Sequence, residues 1–219
     1  MMTKVKLTYF VDVLSSWCLI AEDALDRVRR EFGEGLDYEW RIASLRDSLD
    51  YTREMLEFFY LRTNAVTGTM LNSVWLQGRE DGPKWADLAA EAARGLGCVD
   101  DRVRIALARG AMIEGLLMGR REVCVATAAK AGDLKPADLE RAMDDPQTAA
   151  RIKASTEAFA AYNVPVRPTF VITNPIGDAY VLSGCWRYGL LAQAIRDAIS
   201  DADVYATFMT QNKAPAGVV

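Results

Sequence analysis

Asp12-Val13-Leu14-Ser15-Ser16-Trp17-Cys18 is the stretch from which the fold of this chain is read. Ahead of it, Lys4 to Val11 alternates and then turns continuously apolar, the pattern of a strand entering a core. Behind it, Leu19, Ile20, Ala24, Leu25 and Val28 recur at helical spacing, with charged residues between them. A helix therefore opens at Ser15 or Ser16, both good N-cap residues. Its first turn offers unpaired N–H groups and the positive end of the helix dipole, which stabilise an anion, a thiolate included. Cys18 falls in that turn, so chemistry is expected here.

Working outward, Phe32-Gly33-Glu34-Gly35 closes the helix, and Leu36 to Ile42 alternates with period two as a second strand. A β-α-β crossover of this length places its strands parallel in one sheet. A long helical stretch follows. Helices are expected from Asp47 to Leu61, from Pro83 to Gly95, from Asp100 or Asp101 to Leu117, from Glu122 to Ala131, from Lys135 to Asp145 and from Gln147 to Tyr162. Asn64 to Gly82 is ambiguous. Strands return at Pro168 to Thr173 and Ala179 to Leu182, joined by the turn Asn174-Pro175-Ile176-Gly177-Asp178, and Tyr188 to Ile199 is a closing amphipathic helix. The class is α/β, in the order β-α-β, helical block, β-β-α.

The chain has 219 residues, 51% hydrophobic and 26% charged, with a net charge of −4. That suits one globular domain with a core of its own, and it gives no electrostatic reason to expect nucleic acid or an anionic membrane as a partner. There is no histidine, which excludes Ser-His-Asp and Cys-His catalysis and histidine-ligated metal sites. Cys18, Cys98, Cys124 and Cys185 form no C-x-x-C pair, so neither a dithiol redox motif nor a zinc framework is expected. Four unclustered cysteines suit a reducing compartment. Met1 to Lys4 runs directly into the first strand without the pattern of a secretory leader, and no apolar run reaches transmembrane length. The expectation is a cytoplasmic protein.

That order of elements, with these residues at its joints, resembles the DsbA-like branch of the thioredoxin fold. The branch includes FrnE-type disulfide oxidoreductases, 2-hydroxychromene-2-carboxylate isomerases and kappa-class glutathione transferases. Ser15-Ser16-Trp17-Cys18 is similar to the branch's active-site turn, where oxidoreductases carry C-P-W-C and the isomerase and transferase have serine at the first position. Asn163 to Ile172, reading N-V-P-V-R-P-T-F-V-I, resembles its G-V-x-x-V-P-T-F-V-I segment, which puts Pro168 on the family's cis-proline. Ser183-Gly184-Cys185-Trp186 resembles the glycine turn before its last helix. The resemblance implies a thioredoxin-like part over about 3–46 and 160–200 and an all-helical insertion over about 47–159, and the polar, small composition after Ser200 predicts a flexible tail over about 203–219. Two positions depart from the pattern. Arg167 stands where an apolar residue often precedes the cis-proline. Trp186 stands where kappa-type relatives carry an acid for the glutathione amine.

Without a cysteine at Ser15, two-cysteine disulfide exchange cannot run. What the resemblance then implies is a thiol-dependent isomerase or transferase. It would bind glutathione or another low-molecular-weight thiol, use no metal, and act on a hydrophobic, aromatic acid. Ser15 would donate a hydrogen bond to the bound sulfur, or would serve only as the N-cap. Cys18 would be a reactive thiol, or a small buried hydrophobe. Ser16, Trp17, Pro168, Ser183 and Gly184 would form the thiol-binding surface, and Arg167 would take a carboxylate. The other functional readings are a monothiol oxidoreductase using Cys18, and a non-catalytic small-molecule or peptide binding module. A homodimer is compatible with all three. Trp75, Trp85, Tyr51, Phe58 and Phe59 are candidates for lining an apolar pocket. Cys98, Cys124 and Cys185 read as structural, with Cys185 brought by the resemblance toward the active-site end. The runs Arg27-Arg29-Arg30 and Arg120-Arg121 read as solvated helix faces.

Overall fold

The computed structural model describes residues 3–44, 52–78 and 84–212. Strand β1 (Val5–Val11) leads into helix α1 (Ser16–Phe32), and strand β2 (Leu36–Ile42) returns parallel to β1. Gly33 ends α1 with a positive φ of 50° and donates its N–H to the carbonyl of Arg29. Six helices follow: α2 (Arg53–Thr67), α3 (Lys84–Gly95), α4 (Arg102–Met112), α5 (Arg121–Gly132), α6 (Pro136–Asp144) and α7 (Pro146–Ala160). Strands β3 (Thr169–Thr173) and β4 (Ala179–Ser183) and helix α8 (Tyr188–Gln211) complete the chain. The sheet order is β2-β1-β3-β4, with β3 antiparallel to both β1 and β4. This is a DsbA-like thioredoxin fold, α/β with a helical insertion.

The central strand is buried on both faces, which explains why its sequence reads as a nearly continuous apolar run. On one face Val5, Leu7 and Tyr9 join the main core with α1 and α8, and the Tyr9 ring stacks on Phe170 of β3 with centroids 4.6 Å apart. On the other face Phe10 and Val171 meet Phe159 of α7 and Ala43. Within the insertion, α3 packs against α4, α5, α6 and α7. Five of its buried residues are alanine (Ala86, Ala89, Ala90, Ala92 and Ala93), beside Asp87, Leu88 and Glu91, so four helices approach it closely.

A buried polar cluster braces the insertion against the sheet. Arg104 of α4, 3% exposed, holds both carboxylate oxygens of Glu22 on α1 at 2.5 and 3.0 Å, and Asp101 at 2.6 Å. Tyr38 of β2 donates its hydroxyl to Asp101 at 2.8 Å, and Tyr9 donates to Glu22 at 3.2 Å and to the carbonyl of Cys18 at 3.0 Å. Such a cluster specifies one docking of α4 on α1, because any other leaves charges buried without partners.

The elements differ from the sequence expectation in three places. Helix α2 begins at Arg53, and the expected start at Asp47 lies outside the described residues, as does Tyr51. Helix α4 stops at Met112 rather than Leu117, where the Asn72 side chain donates to the carbonyl of Ile113 and the Leu116 N–H turns back to the carbonyl of Gly110. The closing helix continues to Gln211, so residues 203–211 are helix and not tail. Ala202 is buried, Tyr180 bonds Asp201, and Thr3 bonds Asp203, which hold the extra turns in place. Residues 213–219 lie outside the described residues.

Candidate active site

The loop between β1 and α1 is shaped by two carboxylates. The Asp12 side chain accepts the N–H of Leu14 at 3.1 Å, and its carbonyl accepts the N–H of Ser15 at 3.1 Å. This local turn delivers Ser15 to the N-cap of α1 in an extended conformation (φ −77°, ψ 122°). The second carboxylate comes from the insertion. Asp87 of α3 accepts the N–H of Val13 at 3.2 Å. Burial, with the Asp12 charge beside it, pushes the Asp87 carboxyl well above the usual range. Sequence reading passed over Asp87, since an acid on an alanine-rich helix carries no signal of the loop that it meets.

The Ser15 hydroxyl makes no cap bond to the helix. It is half-buried and close enough to the thiol of Cys18 to pull that thiol's pKa down. Cys18 is 1% exposed, and burial pushes its thiol up to about 12 against the lowering pull of Ser15 and the Asp12 backbone. Desolvation thus outweighs the helix terminus at Cys18, whereas Ser15, one turn earlier, stays within reach of solvent. Ser16 is buried and its hydroxyl lies 3.2 Å from that of Thr63 on α2. Thr63 donates to the carbonyl of Phe59 at 2.9 Å, so Ser16 is the donor to Thr63. Its hydroxyl ties α1 to the insertion and does not face a ligand.

Opposite the loop, Phe10 pairs with Thr169, which sets Pro168 level with the end of β1 and the start of the motif. The Arg167–Pro168 bond is cis. The carbonyl of Pro168 accepts the N–H of Gly184 at 2.8 Å, and Gly184 has φ 68°, a conformation that a side chain would strain. The Ser183 hydroxyl sits 3.3 Å from Thr169 Oγ1 and 3.4 Å from the carbonyl of Val166. Trp186, two residues on, tilts against Trp17 with centroids 5.8 Å apart. The motif, the Pro168 segment and the Gly184 turn therefore converge at one end of the sheet.

Arg167 is placed differently from its expected role. Its guanidinium donates to the carbonyls of Ala43 at 2.8 Å and Ser44 at 3.1 Å, and lies 4.2 Å from the centroid of Phe159. It fastens the end of β2 to the Pro168 segment. The described aromatic candidates differ in their surroundings. Trp75 is buried and donates to the hydroxyl of Tyr60 at 2.8 Å, Trp85 is half-buried beside the Arg121 guanidinium, and Phe58 is exposed. Cys98, Cys124 and Cys185 are buried free thiols, as the structural reading of them requires. Among the described residues no acid or cysteine cluster suits a metal ion, and no helix is long and apolar enough to cross a membrane.

Known proteins resemble the chain at the level of fold. A putative protein disulfide isomerase from Nitrosomonas europaea superimposes with a TM-score of 0.71 at 15% identity, over 90% of this chain and 97% of that one. The cytosolic disulfide reductase DsbM from Pseudomonas aeruginosa, solved also with GSH, gives 0.67 at 20% identity over 93% and 99%. A 2-hydroxychromene-2-carboxylate isomerase gives 0.64 at 14% identity over 91% and 98%. No curated protein matches the sequence. The model of the DSBA-like thioredoxin domain matches residues 6–196, nearly the whole chain, and it covers every part of the site. The chain is a member of the DSBA-like thioredoxin domain family.

Proposed function

We propose that this protein is a cytoplasmic thiol-dependent enzyme that binds glutathione or another small thiol with its sulfur at Ser15. It would use that thiol to isomerise or conjugate a hydrophobic acid. The observation that carries the reading is the contrast inside one helical turn. The cysteine of the motif is sealed and held as a thiol, while the serine at the solvent side has a hydroxyl that the helix does not use as a cap. An incoming sulfur would meet that hydroxyl and the helix N-terminus, both of which favour the thiolate. The extended backbone beside Pro168 offers main-chain groups to a peptide-like thiol. Solved relatives of this fold include a disulfide reductase with GSH and an isomerase of an aromatic acid, which supports both the thiol and the substrate class.

The monothiol reading, with Cys18 as attacking group, is disfavoured by the burial that holds its proton. A non-catalytic module would share the fold and lack the turnover. Calorimetric titration with glutathione tests the proposal. The expected result is binding that Ser15→Ala weakens about tenfold, the cost of one hydrogen bond to a charged sulfur. No heat at millimolar thiol, or equal affinity in the variant, would remove Ser15 as the thiol site.

A further inference from the structure

A groove of about 640 Å³ runs along α1 just beyond the Trp17–Trp186 contact. Leu19 and Ile20 of α1, Ile113 after α4 and the Trp186 ring give it apolar walls. Arg27, Arg109 and Arg187 line it too, from α1, α4 and the turn before α8. The Arg27 guanidinium lies 3.8 Å from the centroid of Tyr188 and that of Arg187 4.9 Å from the centroid of Trp186, so aromatic rings carry both guanidiniums. Two carboxylates also line the groove. Glu22 is already held through both oxygens by Arg104, which leaves Asp23 as the opposing charge. Among the described residues none of the three arginines is in an ion pair with a carboxylate, although most arginines of α1 to α8 are. Arg27 is shared between Asp23 and Glu31 of α1, and Arg109 and Arg187 keep the groove cationic in a chain whose net charge is −4.

We infer that this groove is a binding site for an organic anion with an aromatic body, its ring against Trp186 and the Leu19–Ile20 wall and its acid group on Arg109 and Arg187. A planar guanidinium fits a carboxylate or sulfonate in two parallel hydrogen bonds, and a ring on tryptophan adds stacking. The site takes over the role that the sequence had suggested for Arg167, which is committed to Ala43 and Ser44. Arg27, read from the sequence as part of a solvated face, instead borders a groove. The identification of the anion as the second substrate rests on the thiol site at Ser15. The binding itself does not.

The test is calorimetric titration of the full chain, without thiol, with 2-naphthoate and with the uncharged 2-naphthalenemethanol. Naphthoate should bind several-fold tighter than the alcohol, and its binding should quench a fluorescence component that Trp186→Phe removes. Arg109→Gln and Arg187→Gln should each weaken naphthoate about three- to tenfold and leave the alcohol unchanged. Both arginines are exposed, so the variants should melt with the wild type. Equal affinity for acid and alcohol, or naphthoate affinity unchanged in both variants, overturns the inference. Ser15→Ala separates the two sites. Naphthoate binding kept by a protein that never binds glutathione upholds the groove while the thiol reading fails. Glutathione binding with none of naphthoate does the reverse.

Discussion

Replacing Asp87 by asparagine should make the protein less sensitive to alkaline pH without loosening the active-site loop. Asp87 is 2% exposed, and one of its oxygens accepts the N–H of Val13. Its other oxygen is buried with no hydrogen-bond partner among the described residues. The Asp12 carboxylate faces it from the loop, Cys124 from α5 and Arg167 from the Pro168 segment, with the Ser44 hydroxyl alongside. Burial and the Asp12 charge raise its carboxyl well above the ordinary value of 3.8, so between these two values the native protein holds a proton that the unfolded chain has released. The stabilisation is complete below the unfolded value and is lost as pH rises through the folded one, at about 1.4 kcal/mol per pH unit. Asparagine keeps the acceptor for Val13, carries no titrating proton and can donate toward Asp12. The stability difference between Asp87→Asn and wild type should therefore grow in the variant's favour as pH rises above the ordinary value of 3.8 toward the raised folded one, by up to the same slope. Asp87→Leu should instead cost about 1–3 kcal/mol at every pH, because the Val13 N–H is left buried without an acceptor. Urea unfolding followed by circular dichroism across that range measures both. Parallel stability curves for wild type and Asp87→Asn would refute the reasoning.

The other expectations concern the sealed cysteine and the brace. With its pKa at about 12, Cys18 should be alkylated by iodoacetamide at pH 8 about a thousandfold more slowly than an exposed cysteine, and at the ordinary rate once unfolded. Mass mapping of the labelled site checks this, and labelling of native Cys18 at the rate of a free thiol would restore the monothiol reading. Arg104→Met should cost about 3–5 kcal/mol in urea unfolding, since Glu22 and Asp101 lose a shared partner inside the fold. A loss under about 1 kcal/mol would show that the cluster does not hold the insertion in place.

How much of this was legible in the sequence depends on the range of the interaction involved. Elements set by local periodicity, such as Leu36 to Ile42 or the hairpin of β3 and β4, stand close to where alternation and turn residues put them. Helix α8 overran its expected end at Ile199 because the contacts that hold its last turns reach back to Thr3 and Tyr180, far along the chain. The site divides in the same way. Ser15 at the N-cap follows from strand, turn and helix in succession. Ser16, Arg167 and Asp87 owe their roles to partners 47, more than 120 and 74 residues away. A serine beside a candidate-site serine, or an arginine beside a proline, looks equally available for ligand until the partner that occupies it is known.

The same distinction bears on how the proposed thiol chemistry would run in a chain without histidine. Imidazole is one way to accept a thiol's proton, and a fixed array of donors that favours the anion is another. In this loop the two acids sit on the Val13 and Leu14 N–H groups, beneath the helix and turned from solvent, and they hold Ser15 in an extended conformation at the N-cap. Had they faced the open side, their charge would oppose a thiolate there. Burial and the Asp12 charge make Asp87 hold its proton more tightly than a free carboxyl, which limits the negative charge beneath the loop, while the half-buried Ser15 hydroxyl stays at the helix terminus. The loop is thus shaped by acids without being dominated by their field, which is the condition a bound thiolate at Ser15 requires.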